Sequence, residues 1–172
     1  GGRELVRGDV AERLPLRRGN PLDLVSLEAS RDTLLAILKN RGYAHAEVLS
    51  SYLIPRSDSL RAQVKFEVHP GALARFGEIT VTGADRVSPS VVRKMLTFEE
   101  GDLYRQDELL RSQRNLFGLE IFRHVEVRAD LAAEADSVVP VRVQLNEGNV
   151  HRVRAGVGMS TAECGNAEGR WV

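Results

Sequence analysis

The sequence predicts an α+β fold: two tandem β-α-α-β-β units, each a three-stranded mixed sheet covered on one face by two helices. Three observations carry this. The chain repeats itself: YAHAEV at 43–48 returns as FRHVEV at 122–127, VKFEVHPG at 64–71 returns as VRVQLNEG at 141–148, and Leu14–Gly19 echoes Leu96–Gly101. Self-similarity at a fixed period marks one supersecondary unit used in series. Leu60, Ala62, Val64, Phe66 and Val68 alternate with polar residues, the period of a strand with one buried face. Leu24, Leu27, Arg31, Leu34, Leu35 and Leu38 fall three or four apart, the stripe of a helix packed on a sheet.

In the first unit the repeat aligns Val10–Leu14 with the end of Val91–Leu96, so the opening strand is expected upstream of Gly1. The helical stripe follows and closes at Asn40-Arg41-Gly42, with Gly42 as a left-handed cap. A strand over 44–54, a turn over 55–59 and a strand from Leu60 to Val68 read as an antiparallel hairpin. In the second unit a strand is expected over 76–82, with Ile79 and Val81 facing the core, then a turn at Gly83-Ala84-Asp85. Ser88 followed by Pro89 reads as an N-cap and first helical residue, opening a short helix to about Leu96. A loop with Gly101 leads to a longer helix over 106–117, with Leu109, Leu110, Leu116 and Phe117 apolar, ended by Gly118. Strands over 122–130 and 138–145, joined by a polar turn, complete the unit. Phe66 and Leu145 are expected on the buried, helix-facing side. The divisions are 1–72, 73–149 and a tail, 150–172, and the short Ala72-Leu73-Ala74 link favours a limited range of angles between the units.

The 172 residues carry 24 Lys+Arg against 24 Asp+Glu. This balance lacks the basic excess that draws a protein to nucleic acid or an anionic bilayer. There is no apolar run of transmembrane-helix length. Cys164 is the one cysteine, which excludes an intrachain disulfide and a cysteine-based zinc site. His45, His69, His124 and His151 match no metal-ligand spacing, and His45 and His124 hold the same place in successive repeats, a domain apart. Gly156-Val157-Gly158 lacks the third glycine of a dinucleotide fingerprint, Cys164 has no histidine beside it, and Glu99-Glu100 read as solvated loop acids. The expectation is no enzyme, no cofactor and no metal.

What remains is the sheet itself. If the later two strands form a hairpin, one is outermost, and an outermost strand offers unpaired N–H and C=O groups to an extended polypeptide. The candidate edges centre on Ala44, Ala46, Val48 and Ser50 in the first unit and on Arg123, Val125, Val127 and Ala129 in the second. The competing reading is that Glu47, Glu126 and Arg128, or the neighbouring unit, block these edges. In the tail, Val153, Ala155, Val157 and Met159 alternate with Arg152, Arg154, Gly156, Gly158 and Ser160, which fits both a half-buried strand of a soluble sheet and a lipid-facing barrel strand. Residues 163–169 read as a polar turn, with Trp171 near the start of a second strand.

The β-α-α-β-β order and the segment GEITVTGADRVSPSVVRKMLTFEEGDLYRQDELLRSQRNLFGLEIFRHVEV resemble the polypeptide-transport-associated (POTRA) domain, with Gly83, Gly101, Leu109, Arg114, Leu116, Phe122 and Val127 at its recurrent positions. Residues 76–148 cover one whole domain, and 9–71 resemble a preceding one. The tail VRAGVGMSTAECGNAEGRW resembles the first barrel strand and turn of BamA- and TamA-type outer-membrane assembly proteins, which favours the barrel reading. The family's YSTDEG stretch appears here as MSTAECG. The resemblance implies a periplasmic region attached to a bacterial outer membrane through a C-terminal barrel. It implies unfolded outer-membrane or secreted polypeptides, and accessory assembly proteins, as partners. Two relatives of the same plan keep alternatives open: two-partner-secretion transporters, and lipase-like enzymes anchored by a barrel.

Overall fold

A computed structural model describes residues 9–56, 61–132, 137–148, 153–160 and 163–171, the last two segments as backbone. The chain runs α1 (Asp9–Arg13), α2 (Leu24–Asn40), β1 (Glu47–Leu53), β2 (Gln63–His69), β3 (Arg75–Thr82), α3 (Pro89–Lys94), α4 (Gln106–Phe117), β4 (Phe122–Ala129), β5 (Val138–Glu147), β6 (Val153–Ser160) and β7 (Glu163–Trp171).

The second unit is the β-α-α-β-β arrangement in full. Its sheet has the order β3-β5-β4, with β3 parallel and β4 antiparallel to β5, so the hairpin places β5 at the centre and β4 at an edge. The alternation of β5 puts Val139, Val141, Val143 and Leu145 into the core, where they meet Phe76 and Ile79 from β3, Val92 from α3, and Leu109 and Leu116 from α4. Phe76 stacks on Phe98 with ring centroids 4.0 Å apart. Leu145 is buried as expected; Phe66, its partner in that expectation, is only half-buried.

The first unit repeats the plan. β1 and β2 form an antiparallel hairpin, and Val10, Leu34, Leu38, Ala46 and Val48 make its core. Among the described residues, β2 pairs with β1 alone. The repeat extends to details: Val10 and Val92, Leu27 and Leu109, and Leu34 and Leu116 are buried pairs at equivalent positions. Gly19 and Gly101 both have φ +92°, a left-handed backbone that a β-carbon would strain.

One device was not expected. Ser30 and Ser112 occupy the same position on α2 and α4, and both are fully buried. The Ser112 hydroxyl accepts the Thr97 N–H at 2.9 Å. The residue equivalent to Thr97 is Pro15, which has no N–H, and Ser30 accepts from the next residue, Leu16, at 2.9 Å. Each serine ties its helix to the loop before it.

Two expectations need correction. Glu100 is not a bystander in solvent: its carboxylate accepts the Ile79 N–H at 3.0 Å, where the β3–β5 register shifts between Phe76 and Ile79 and leaves that amide without a ladder partner. Ser88 does stand at the N-cap of α3 with Pro89 first in the helix, as expected, and its hydroxyl meets that of Ser90 in place of a helix amide. In the tail, residues 163–169 are not a turn but most of β7, paired antiparallel with β6 from Val153↔Trp171 to Ser160↔Glu163. Only residues 161–162 lie between the two strands.

Candidate functional site

The second sheet has two edges with different fates. On β3, the outward groups of Phe76 and Ile79 are taken up. Phe76 N–H donates to the Asp102 carbonyl at 2.9 Å, and Gly101 N–H donates to the Phe76 carbonyl at 2.7 Å. Ile79 N–H is held by Glu100, and the Ile79 carbonyl accepts from the Arg93 guanidinium at 2.8 Å. A loop and two charged side chains thus cover this edge from Phe76 to Ile79.

On β4 nothing comparable occurs. Asp130 N–H donates to the Pro140 carbonyl at 2.8 Å, and the same register continues back to His124↔Asn146. Hydrogen-bonded and non-hydrogen-bonded pairs alternate along an antiparallel ladder. Arg128, Glu126 and His124 therefore direct their N–H and C=O at β5. Val125, Val127 and Ala129 turn theirs outward. Among the described residues, no strand pairs with that outer side. The buried side chains of Val125 and Val127 anchor in the core the very residues whose backbone groups are open. A register shift between Phe122 and His124 puts Arg123 at a bulge, at the end of this row.

The expected blocking charges lie elsewhere. Glu126 and Arg128 pair with each other on the solvent face of the sheet, and Arg142 binds Asp130 at 3.3 Å. None lies across the edge in the strand plane. Above it, α4 adds an apolar flank. At 100° per residue, Glu108 and Ser112, which bond Thr97 on the α3 side, lie on one flank of α4. Leu110 and Phe117 lie on the other, more than half exposed, in a shallow groove with Gln113, Arg114 and Gly118. Since α3 packs on β3 and α4 on β4, that second flank overhangs the open edge.

In the first unit, β1 starts at Glu47, so Ala44 and Ala46 lie in the turn before it. Ala46 and Val48 are buried, Ser50 is half-buried, and Ala44 is buried in the core of the second unit. Ala44 belongs to a junction. Ala74 N–H donates to the Gly42 carbonyl at 2.8 Å, and a β-carbon on Gly42 (φ +102°) would come within 2.8 Å of Leu103 and 2.9 Å of Leu73. The sequence reading missed this junction because its residues look like an ordinary helix end. β1 also exposes Leu49, Tyr52 and Leu53.

Among the described residues, no group of three or more His, Cys, Asp or Glu could hold a metal ion, and no helix is long and apolar enough to cross a membrane. His151 and Cys164 fall outside the residues whose side chains are described.

Residues 74–148 match the family described as "POTRA: Surface antigen variable number repeat". This segment is a POTRA domain. Over 163 residues, 95% of its length, the chain is 23% identical to the outer membrane protein assembly factor BamA of Neorickettsia risticii, of which it spans 22%. The POTRA fold extends to both units. The structure of Haemophilus ducreyi BamA lacking POTRA domains 1–3 superposes with a TM-score of 0.70 at 19% identity, covering 88% of this chain and 29% of that one. POTRA domains 3–5 of Haemophilus influenzae BamA give 0.68 at 20% identity, covering 84% of this chain and 55% of that one.

Proposed function

We propose that this chain is the periplasmic POTRA region next to the barrel of an outer-membrane β-barrel assembly protein, and that it is a non-enzymatic module. It would receive unfolded outer-membrane polypeptides by strand addition at β4, with accessory assembly proteins as further partners. In this reading 1–72 is one POTRA domain, 73–149 the next, and the β6–β7 hairpin opens the barrel.

The observation that carries the reading is the asymmetry of the second sheet: β3 is covered at Phe76 and Ile79 by Asp102, Gly101, Glu100 and Arg93, whereas the outward backbone of Val125, Val127 and Ala129 has no strand beside it among the described residues. Main-chain bonding at such an edge is indifferent to client sequence. Leu110 and Phe117 would cover apolar side chains of the added strand on the helix side, while Glu126 and Arg128 would meet polar ones on the solvent side. That matches a client whose residues alternate apolar and polar, as barrel strands do. Relatives named as BamA support the cellular setting.

Titrating synthetic barrel-strand peptides into the isotope-labelled protein tests the reading. Expected are amide shifts at Val125, Val127 and Ala129, with smaller ones at Leu110 and Phe117. Unshifted amides along β4 at millimolar peptide, or shifts confined to β3, would sink the client-binding proposal.

A further inference from the structure

We propose that the edge-facing flank of α4 holds a side-chain subsite, and that its occupant is an aromatic residue of a polypeptide strand added at β4; this rests on the strand-addition reading above. A groove of about 450 Å³ runs along that flank, walled by Leu110, Gln113, Arg114, Phe117 and Gly118. The fold does not require it. α2 and α4 bury the same positions against their sheets, Leu27, Ser30 and Leu34 on one and Leu109, Ser112 and Leu116 on the other. The flank beside them differs. Leu110, Gln113 and Arg114 stand where α2 has Glu28, Arg31 and Asp32, and there Arg31 pairs with Asp32 at 2.8 Å. The first unit thus presents a charged flank where the second presents an apolar one, so the groove belongs to what the second unit does and not to how the unit folds.

The groove lies where an added strand would pass. Residues 118–121 alone join α4 to β4, so the chain reverses there and the end of α4 lies over the start of β4. Leu110 and Phe117 are about two helical turns apart, about 10 Å along the axis. A strand covers that distance in about three residues. The groove therefore runs level with the first half of β4. Every second side chain of an added strand turns to the helix side. One such position, the one beside Val125, falls between Leu110 and Phe117. Main-chain bonding alone leaves the register of an incoming strand free, and a side chain seated here fixes it.

Arg114 names the chemistry of the occupant. Arg111, one turn earlier, is engaged by Asp107 and Glu108, whereas the Arg114 guanidinium forms no ion pair among the described residues. It stands at the rim of the groove as a free cation over an apolar floor. An acidic side chain would satisfy the cation but leave Leu110 and Phe117 uncovered, and an aliphatic one would do the reverse. An aromatic ring does both: its edges pack on Leu110 and Phe117, and its electron-rich face receives the guanidinium. Beside Val125 it also makes an aromatic pair with a β-branched residue, a favourable cross-strand combination.

Titrating three lysine-flanked peptides of alternating valine and threonine, identical except for phenylalanine, leucine or alanine at one central valine position, into the isotope-labelled chain tests this. Expected are amide shifts at Val125, Val127 and Ala129 with all three. The phenylalanine peptide should bind about 10-fold tighter than the alanine one, with leucine between them, and its ring should give intermolecular NOEs to Leu110 and Phe117. Leu110→Glu, which installs the side chain that α2 carries at this position and lies on an exposed face, should bring the phenylalanine peptide to the affinity of the alanine one. Arg114→Ala should abolish the preference for phenylalanine over leucine. Equal affinities for the three peptides, with the β4 shifts retained, would overturn the subsite and leave strand addition standing. Shifts on α4 without shifts on β4 would overturn it as well, and no shift with any peptide would remove both readings together.

Discussion

The side-chain oxygen of Asn40, at the last turn of α2, accepts the backbone N–H of Asp107, in the first turn of α4, at 2.9 Å. A helix start leaves its first amides unpaired, and a cap residue normally supplies the acceptor from within its own chain segment. In α2 that is so: Asp23 accepts from Val25 and Ser26. In α4 the cap position is Arg105, which makes no side-chain cap bond. The cap is supplied by the neighbouring unit instead, so helix stability and interdomain geometry share one contact.

Asn40→Ala should therefore destabilise the second unit by about 1 kcal/mol, the usual worth of a cap, although Asn40 belongs to the first. It should also widen the spread of interdomain angles, because it removes one of the described ties and leaves the Gly42–Ala74 bond, the approach of Leu73 and Leu103 to Gly42, and the packing of Ala44. Chemical denaturation followed by probes in each unit checks the first effect, and residual dipolar couplings check the second. A loss confined to the first unit would refute the shared cap.

The buried serines make a second prediction. Ser112→Ala removes the acceptor for Thr97 N–H and the partner of the Thr97 hydroxyl. It should cost about 1–3 kcal/mol, the range for leaving a buried polar group unsatisfied. Ser30→Ala should act alike on the first unit through Leu16. Denaturation midpoints measure both, and a neutral Ser112→Ala would mean that water satisfies the freed amide.

These serines show where sequence reading stopped. The apolar alternation of 138–145 and the helical spacing of 106–117 were legible because burial of one face imposes the period directly. The covered β3 edge was not, because it depends on Glu100 and Arg93 meeting Ile79 from distant loop and helix positions. Equivalent Ser30 and Ser112 were visible in the repeat, but a serine on a helix reads as surface until its partner is known. The β6–β7 connection was misread because polar, glycine-rich 163–169 has turn composition, although pairing with β6 holds it extended. Phe66 had the right phase but lies half-exposed beside a cleft.

Glu147 makes stability depend on pH. Its carboxylate accepts Arg86 N–H at 2.9 Å and Val87 N–H at 3.1 Å, pinning the β3–α3 loop to the end of β5. The Arg86 amide above all, then the Val87 amide, holds this carboxyl below its ordinary value of 4.5. A depressed folded-state pKa means stability that is fully present above the unfolded value and is lost as pH falls through the folded one. Melting temperature should thus drop below about pH 4.5 more steeply for the natural protein than for Glu147→Gln. Parallel pH profiles would show that other carboxylates govern the acid limb.

The open edge can be tested by two prolines one residue apart. Arg128 directs its N–H at β5, opposite Arg142, whereas Ala129 directs its N–H outward. Proline lacks that donor and is tolerated in a strand only where the lost N–H faces away from the ladder. Arg128→Pro should orphan the Arg142 carbonyl and destabilise the second unit by about 1–3 kcal/mol from that loss alone. Ala129→Pro should leave unfolding nearly unchanged, yet remove one of the donors that an added strand would use. Paired denaturation and peptide titration read the two effects separately. If Ala129→Pro unfolds the unit while Arg128→Pro does not, the outward row is the even-numbered one, and the edge presents His124, Glu126 and Arg128 instead.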